Sequence, residues 1–137
     1  MVKRVPAARE LIGVQSEDSF EVAVIRLARL YGWCGYHVRY SVASTRGIHL
    51  ARRDGHMDGY GWPDWCFVRD RILYRELKTN RGRLTPDQKR WAHVLANGGA
   101  DVRVWRPRDL EEIVAELSTP LPIGWVPLAE PIAGASR

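Results

Sequence analysis

The stretch of this chain that most constrains its fold is a pair of short β-prone runs, Trp65 to Val68 and Ile72 to Leu77, separated by Arg69-Asp70-Arg71. A short charged connection between two apolar runs predicts an antiparallel hairpin. Such a hairpin sets the start of its first strand beside the end of its second. Pro63-Asp64 and Glu76-Leu77-Lys78 occupy that shared end. Because side chains alternate along a strand, Glu76 and Lys78 share one face and Leu77 points into the other. Asp64 follows a proline, which a strand start tolerates, and lies across from the end of the second strand. Two carboxylates and an ammonium thus converge on one end of a small sheet. Hard oxygen ligands of this kind suit Mg²⁺ or Mn²⁺, which bind through one or two carboxylates and also take phosphate oxygens. With a lysine to orient a water or balance developing charge, the layout suits phosphodiester chemistry.

The text after the hairpin adds positive charge and a helix. From Lys78 to Arg90 there are five basic residues, Lys78, Arg81, Arg83, Lys89 and Arg90, against the single acid Asp87. The whole chain carries a formal charge of +5, so its excess charge is concentrated beside the acid pair, where a phosphate backbone would lie. Thr85-Pro86-Asp87-Gln88 reads as a capping box with proline at the first helical position. Gln88, Trp91 and Leu95 then share a helical face, which turns Gln88 towards the sheet; Trp91 is expected in the core and His93 in solvent. Asn97-Gly98-Gly99 stops the helix, Val102 and Val104 alternate in a last strand that includes Arg106, and Pro107 opens a helix with Leu110, Ile113, Val114 and Leu117 on its apolar side.

Before the hairpin, Glu17, Phe20, Val24, Leu27 and Tyr31 recur at helical spacing after Ser16, a good N-cap. Glu17 is therefore in phase with the buried face at the helix start, where an acid also favours the helix dipole. Cys34 to Ser41 predicts a first strand with Tyr36, Val38 and Tyr40 on its covered face and His37 structural. Residues 42 to 62 are irregular and contain Arg46, Arg52 and Arg53, the marks of a substrate-gripping loop. His49, Asp54, His56 and Asp58 in this loop have no regular element to set their spacing, so a second metal site there has little support.

Residues 1–15 read as a loose arm, 16–117 as one domain and 118–137 as a proline-rich tail whose Trp125 favours docking on the domain or on a second copy. The composition, 45% hydrophobic and 27% charged, is that of a globular domain with no membrane-length apolar run, and an intracellular location is expected. Two cysteines, Cys34 and Cys66, are too few and too far apart for a disulfide framework and are expected as free buried thiols; a structural zinc site using them is the weakest reading.

Gly-x-Pro-Asp followed after eleven residues by Glu-Leu-Lys resembles the PD-(D/E)XK nuclease superfamily. The continuous text Glu-Leu-Lys-Thr-Asn-Arg-Gly-Arg-Leu-Thr-Pro-Asp-Gln, then Trp91, and the block Val104-Trp105-Arg106-Pro107 resemble its VRR-NUC branch, over roughly residues 16 to 117. The resemblance implies an α/β fold, a small mixed β-sheet flanked by helices in the restriction-endonuclease-like order αβββαβ. It implies Asp64 and Glu76 as metal ligands, Glu17 as a further ligand or water-positioning acid, and the Leu77 carbonyl as an extra ligand. Lys78 would position or activate water and Gln88 would assist. DNA contacts fall to Arg46, Arg52, Arg53, Arg81, Arg83 and Lys89. The expected activity is Mg²⁺- or Mn²⁺-dependent endonucleolytic cleavage of DNA, structure-specific and directed at branched or Holliday-junction substrates, with a homodimer supplying two symmetric cuts. The competing expectation is a nucleic-acid-binding module or accessory subunit without catalysis.

Overall fold

A computed structural model of the chain describes residues 17–38 and 59–127, the first two by backbone alone. The hairpin forms at its expected bounds: β2 (Trp65–Val68) and β3 (Ile72–Leu77) run antiparallel, with Trp65 opposite Arg75 and Val68 opposite Ile72. β1 (Cys34–His37) pairs antiparallel with β2. On the far side of β3 lies β4 (Asp101–Trp105), parallel to it, with Leu77 opposite Trp105. Parallel neighbours require a crossover, and α2 (Pro86–Asn97) supplies it. With α1 (Glu17–Leu30) before the sheet and α3 (Leu110–Leu117) after it, the described residues make a mixed four-stranded sheet in the order β1-β2-β3-β4 with three α-helices.

Alternation along the strands sorts the core. Trp65, Phe67, Leu73, Leu77 and Trp105 project to one face, where Phe20, Val24, Leu27 and Ala28 of α1 and Leu110, Ile113 and Leu117 of α3 close over them. Full burial of an aliphatic or aromatic side chain of this size stabilises by roughly 1.5–3 kcal/mol. Phe67 stacks between Trp65 and Trp105 at centroid distances of 5.3 and 6.0 Å. The same face holds Arg75, whose side chain is 0% exposed. Its guanidinium meets Glu116 at 2.8 Å and Asp101 at 3.0 Å, donates to the Tyr74 and Asp101 carbonyls, and lies over the Trp105 ring.

Three expectations change. The covered side of β1 is the one bearing Gly35 and His37: His37 stacks on Trp65 at 4.7 Å while Tyr36 is 69% exposed. Gly35 sits against Phe67 and Trp65, so the absence of a side chain there lets two core aromatics approach the strand. Period alone cannot say which face of an edge strand meets the core. Cys34, on the Tyr36 side, is exposed rather than buried; Cys66 is half-buried and burial pushes its thiol pKa up. Arg106 leaves the strand, and the chain turns through a 3₁₀ segment, Pro107–Asp109, before α3 begins at Leu110.

The 69–71 connection is also more than a solvated turn. Arg69 donates to the carbonyls of Tyr31, Leu117 and Thr119 and stacks on Trp33 at 4.6 Å, so the hairpin tip anchors the end of α1 and the chain after α3. Beyond Thr119 the tail exposes Leu121, Ile123 and Val126 while Trp125 is half-buried. No helix among the described residues is long and apolar enough to cross a membrane.

Candidate active site

Pairing of β1 with β2 carries one residue beyond the start of β2, to Asp64. The Val38 N–H donates to the Asp64 carbonyl at 2.8 Å, and the Asp64 carboxylate accepts from the Leu77 N–H at 3.0 Å. Asp64 is thus tied by one backbone bond to the residue after β1 and, through its side chain, to the end of β3. Its own N–H lies 3.3 Å from Oε2 of Glu76, which brings the two acids together. Glu76 is 5% exposed, on the sheet face turned to α2. Its Oε1 accepts from Nε2 of Gln88 at 2.6 Å and lies 3.4 Å from Nζ of Lys78.

Gln88 reaches Glu76 because α2 starts where it does. Thr85 accepts from the Gln88 N–H at 3.2 Å, and Gln88 Oε1 accepts from the Thr85 N–H at 2.9 Å, completing the capping box. The amide of one side chain therefore serves both the helix start, through its oxygen, and the buried carboxylate, through its nitrogen. Gly61 allows the chain entering Asp64 to press against this helix end. Its φ is +83°, and a Cβ there would collide with the backbone of Asp87 and Gln88. Beside it Trp62 packs edge-on to Trp91 at 4.9 Å and to Tyr74 at 5.9 Å. Trp91 is half-buried rather than part of the closed core, and His93 is exposed beside Asn97. A cleft of about 200 Å³ runs between Pro63, Glu76, Gln88 and Val102.

The electrostatics of this cluster are unbalanced. Burial, and then the neighbouring Asp64 carboxylate, push the Glu76 carboxyl from 4.5 up to about 7, with Lys78 and the Asp64 N–H pulling the other way. The first two causes penalise a buried negative charge and a like charge at short range. A divalent cation removes both penalties, because it neutralises the pair and takes carboxylate oxygens directly. The donor set fits such an ion: Oδ1 of Asp64 has no hydrogen-bond partner among the described residues, and one or two carboxylates suffice for a cation that keeps several waters. Among the described residues no group of three or more His, Cys, Asp and Glu side chains gathers.

The structure therefore brings Asp64, Glu76, Leu77, Lys78 and Gln88 to one place. Glu17 opens α1 by its backbone, one turn before Glu21, and its side chain lies outside the described part. Arg46, Arg52 and Arg53, with His49, Asp54, His56 and Asp58, also lie outside the described residues. Arg81, Arg83 and Lys89 are exposed around the turn and first part of α2 that follow Lys78. Sequence reasoning missed Glu21, which accepts from Trp65 Nε1 at 2.9 Å and meets His37 at 3.5 Å. Only its position four residues after Glu17, on the same side of the helix, could have signalled it.

No protein-family model, curated protein or solved structure matches the chain.

Proposed function

We propose that this protein is a divalent-metal-dependent endonuclease that hydrolyses DNA phosphodiester bonds, acting on branched or junction DNA. The observation that carries the reading is the burial of Glu76 against Asp64, with Lys78 and Gln88 both on its Oε1. Two acids held together mostly out of water are costly when both are ionised, and the single ammonium of Lys78 compensates only one of the two charges, so a divalent cation would relieve the remainder. The order of three strands, helix and strand behind a first helix supports a restriction-endonuclease-like core for the same reading.

In this mechanism Asp64 and Glu76 would hold the ion, and the Leu77 carbonyl and Glu17 would be its further ligands. Mg²⁺ or Mn²⁺, when bound, supplies Lewis acidity towards a phosphate oxygen and lowers the pKa of a water. Lys78, whose ammonium stands 3.4 Å from Glu76, orients the attacking water and balances charge on the phosphate as negative charge develops. Gln88 keeps Glu76 in one rotamer through its 2.6 Å bond. Arg81, Arg83 and Lys89 bind flanking phosphates, and the loop arginines Arg46, Arg52 and Arg53 extend that binding. A four-way junction requires two symmetric incisions, which a homodimer supplies.

The test is incubation of labelled junction, flap and linear duplex DNA with Mg²⁺, Mn²⁺ or EDTA. Cleavage in either metal and none in EDTA is expected. Binding without cleavage under every combination refutes the nuclease reading in favour of a non-catalytic DNA-binding module.

A further inference from the structure

The basic turn after Lys78 is held in shape by a residue that the proposed chemistry does not use. Pairing of β3 with β4 runs one residue past Leu77, since the Lys78 N–H donates to the Trp105 carbonyl at 3.0 Å. The residue that follows β4 is Arg106. Its Nη1 donates to the carbonyls of Thr79 at 2.5 Å and Gly82 at 2.6 Å, the first and last residues of the turn. Inside the turn the Gly82 N–H donates to the Thr79 side chain at 2.9 Å. The Arg108 N–H donates to Oδ1 of Asn80 at 2.9 Å. Asp109 in turn accepts from the Arg106 N–H at 2.9 Å, which steadies the residue that holds the carbonyls.

What this fixed turn presents is charge without an internal partner. Arg81 and Arg83 are exposed and make no ion pair among the described residues. Arg69, Arg71, Arg75 and Arg90 each face a carboxylate. Arg106 spends its hydrogen bonds on neutral carbonyls and makes no ion pair among the described residues, so the turn gains positive potential as well as shape. A turn ordered before DNA arrives avoids part of the ordering cost of binding.

We infer that Arg106 is a positioning residue for DNA: by bridging the Thr79 and Gly82 carbonyls it sets where Arg81 and Arg83 stand relative to Lys78 and the acid pair. This rests on the DNA-cleaving reading of that pair. Lysine is a partial substitute: its ammonium has donors enough for both carbonyls, but its flexible stem holds that nitrogen less firmly than the planar guanidinium holds Nη1.

A thermodynamic cycle on DNA binding tests it, with labelled junction and duplex DNA in Ca²⁺ so that cutting does not deplete the complex. Arg106→Gln in the parent is expected to weaken binding on the order of tenfold. It should also flatten the dependence of log affinity on log salt by about 0.9 for each phosphate that is no longer neutralised. In an Arg81→Gln/Arg83→Gln background the same substitution should cost clearly less, leaving only what the Arg106 charge itself adds to the potential, and Arg106→Lys, which keeps that charge, should fall between Arg106→Gln and the parent. An equal loss in both backgrounds, or parent-like binding by Arg106→Gln, overturns the inference while leaving the nuclease reading intact. If the parent binds no DNA at all, the nuclease reading fails and this inference with it. Melting curves establish that each variant is folded; should Arg106→Gln not fold, the cycle is completed with Arg106→Lys and judged by the same non-additivity.

Discussion

Replacing Glu76 by glutamine should make the metal-free protein more stable at mildly alkaline pH while removing a ligand of the proposed cation site. The carboxyl is raised from 4.5 to about 7, so the folded state holds a proton that the unfolded chain releases. Stability contributed by this group is therefore greatest below the unfolded value and falls as pH rises through about 7, levelling off above it. The full ionisation penalty is about 3 kcal/mol, from roughly 1.4 kcal/mol per pH unit. Glutamine removes it but loses something in exchange. The ionised carboxylate accepts both from Gln88 Nε2 and from the Asp64 N–H, and a glutamine amide can accept only one of these, leaving a donor facing a donor at about 1–2 kcal/mol. The net gain expected at about pH 8 in EDTA is on the order of 1–2 kcal/mol, or several degrees in melting temperature. It should shrink to nothing or reverse at about pH 5, where the wild-type carboxyl is protonated. Millimolar Mg²⁺ should raise the melting temperature of the wild type and leave Glu76→Gln unmoved. Thermal melts over a pH series with and without Mg²⁺ measure all of this. A Glu76→Gln variant equally destabilised at every pH would refute the reasoning, since it would make Glu76 an ordinary structural acid.

Asp64→Asn and Lys78→Met should each lower cleavage by about 10² or more with DNA binding largely retained; cleavage unaffected by both would show that the site lies elsewhere. Arg75→Met should cost about 3–5 kcal/mol in urea unfolding, because it strips a buried guanidinium from Glu116, Asp101 and two carbonyls. A loss below about 1 kcal/mol would mean that the carboxylates rehydrate freely. Gly61→Ala should destabilise by about 1–3 kcal/mol, since it meets both a positive φ and the backbone at the start of α2. Its cleavage rate should fall further than its stability explains, because the displaced segment carries Asp64.

Much of this architecture was legible from local signals. Two β-prone runs with a charged spacer specify the hairpin, and the hairpin specifies that Asp64 meets the end of β3. Thr85-Pro86-Asp87-Gln88 specifies the start of α2 to the residue. These succeed because strand alternation, turn length and helix capping act over a few neighbours, so the chain itself carries the geometry. What tertiary structure alone decided is long-range and depends on which surface meets which. The covered side of β1 is chosen by Trp65 and Phe67 stacking beneath Gly35 and His37, which no period in Cys34–His37 reveals. Arg75, by pattern a charged interruption in an apolar strand, is stabilised only because Asp101 and Glu116 arrive from β4 and α3. Around Glu76 the same division holds. The sequence places Glu76 and Lys78 on one strand face, whereas the approach of α2 buries the carboxylate, supplies Gln88 and creates the electrostatic imbalance that a cation would relieve. Side-chain direction is a local property; desolvation is set by everything packed around the group.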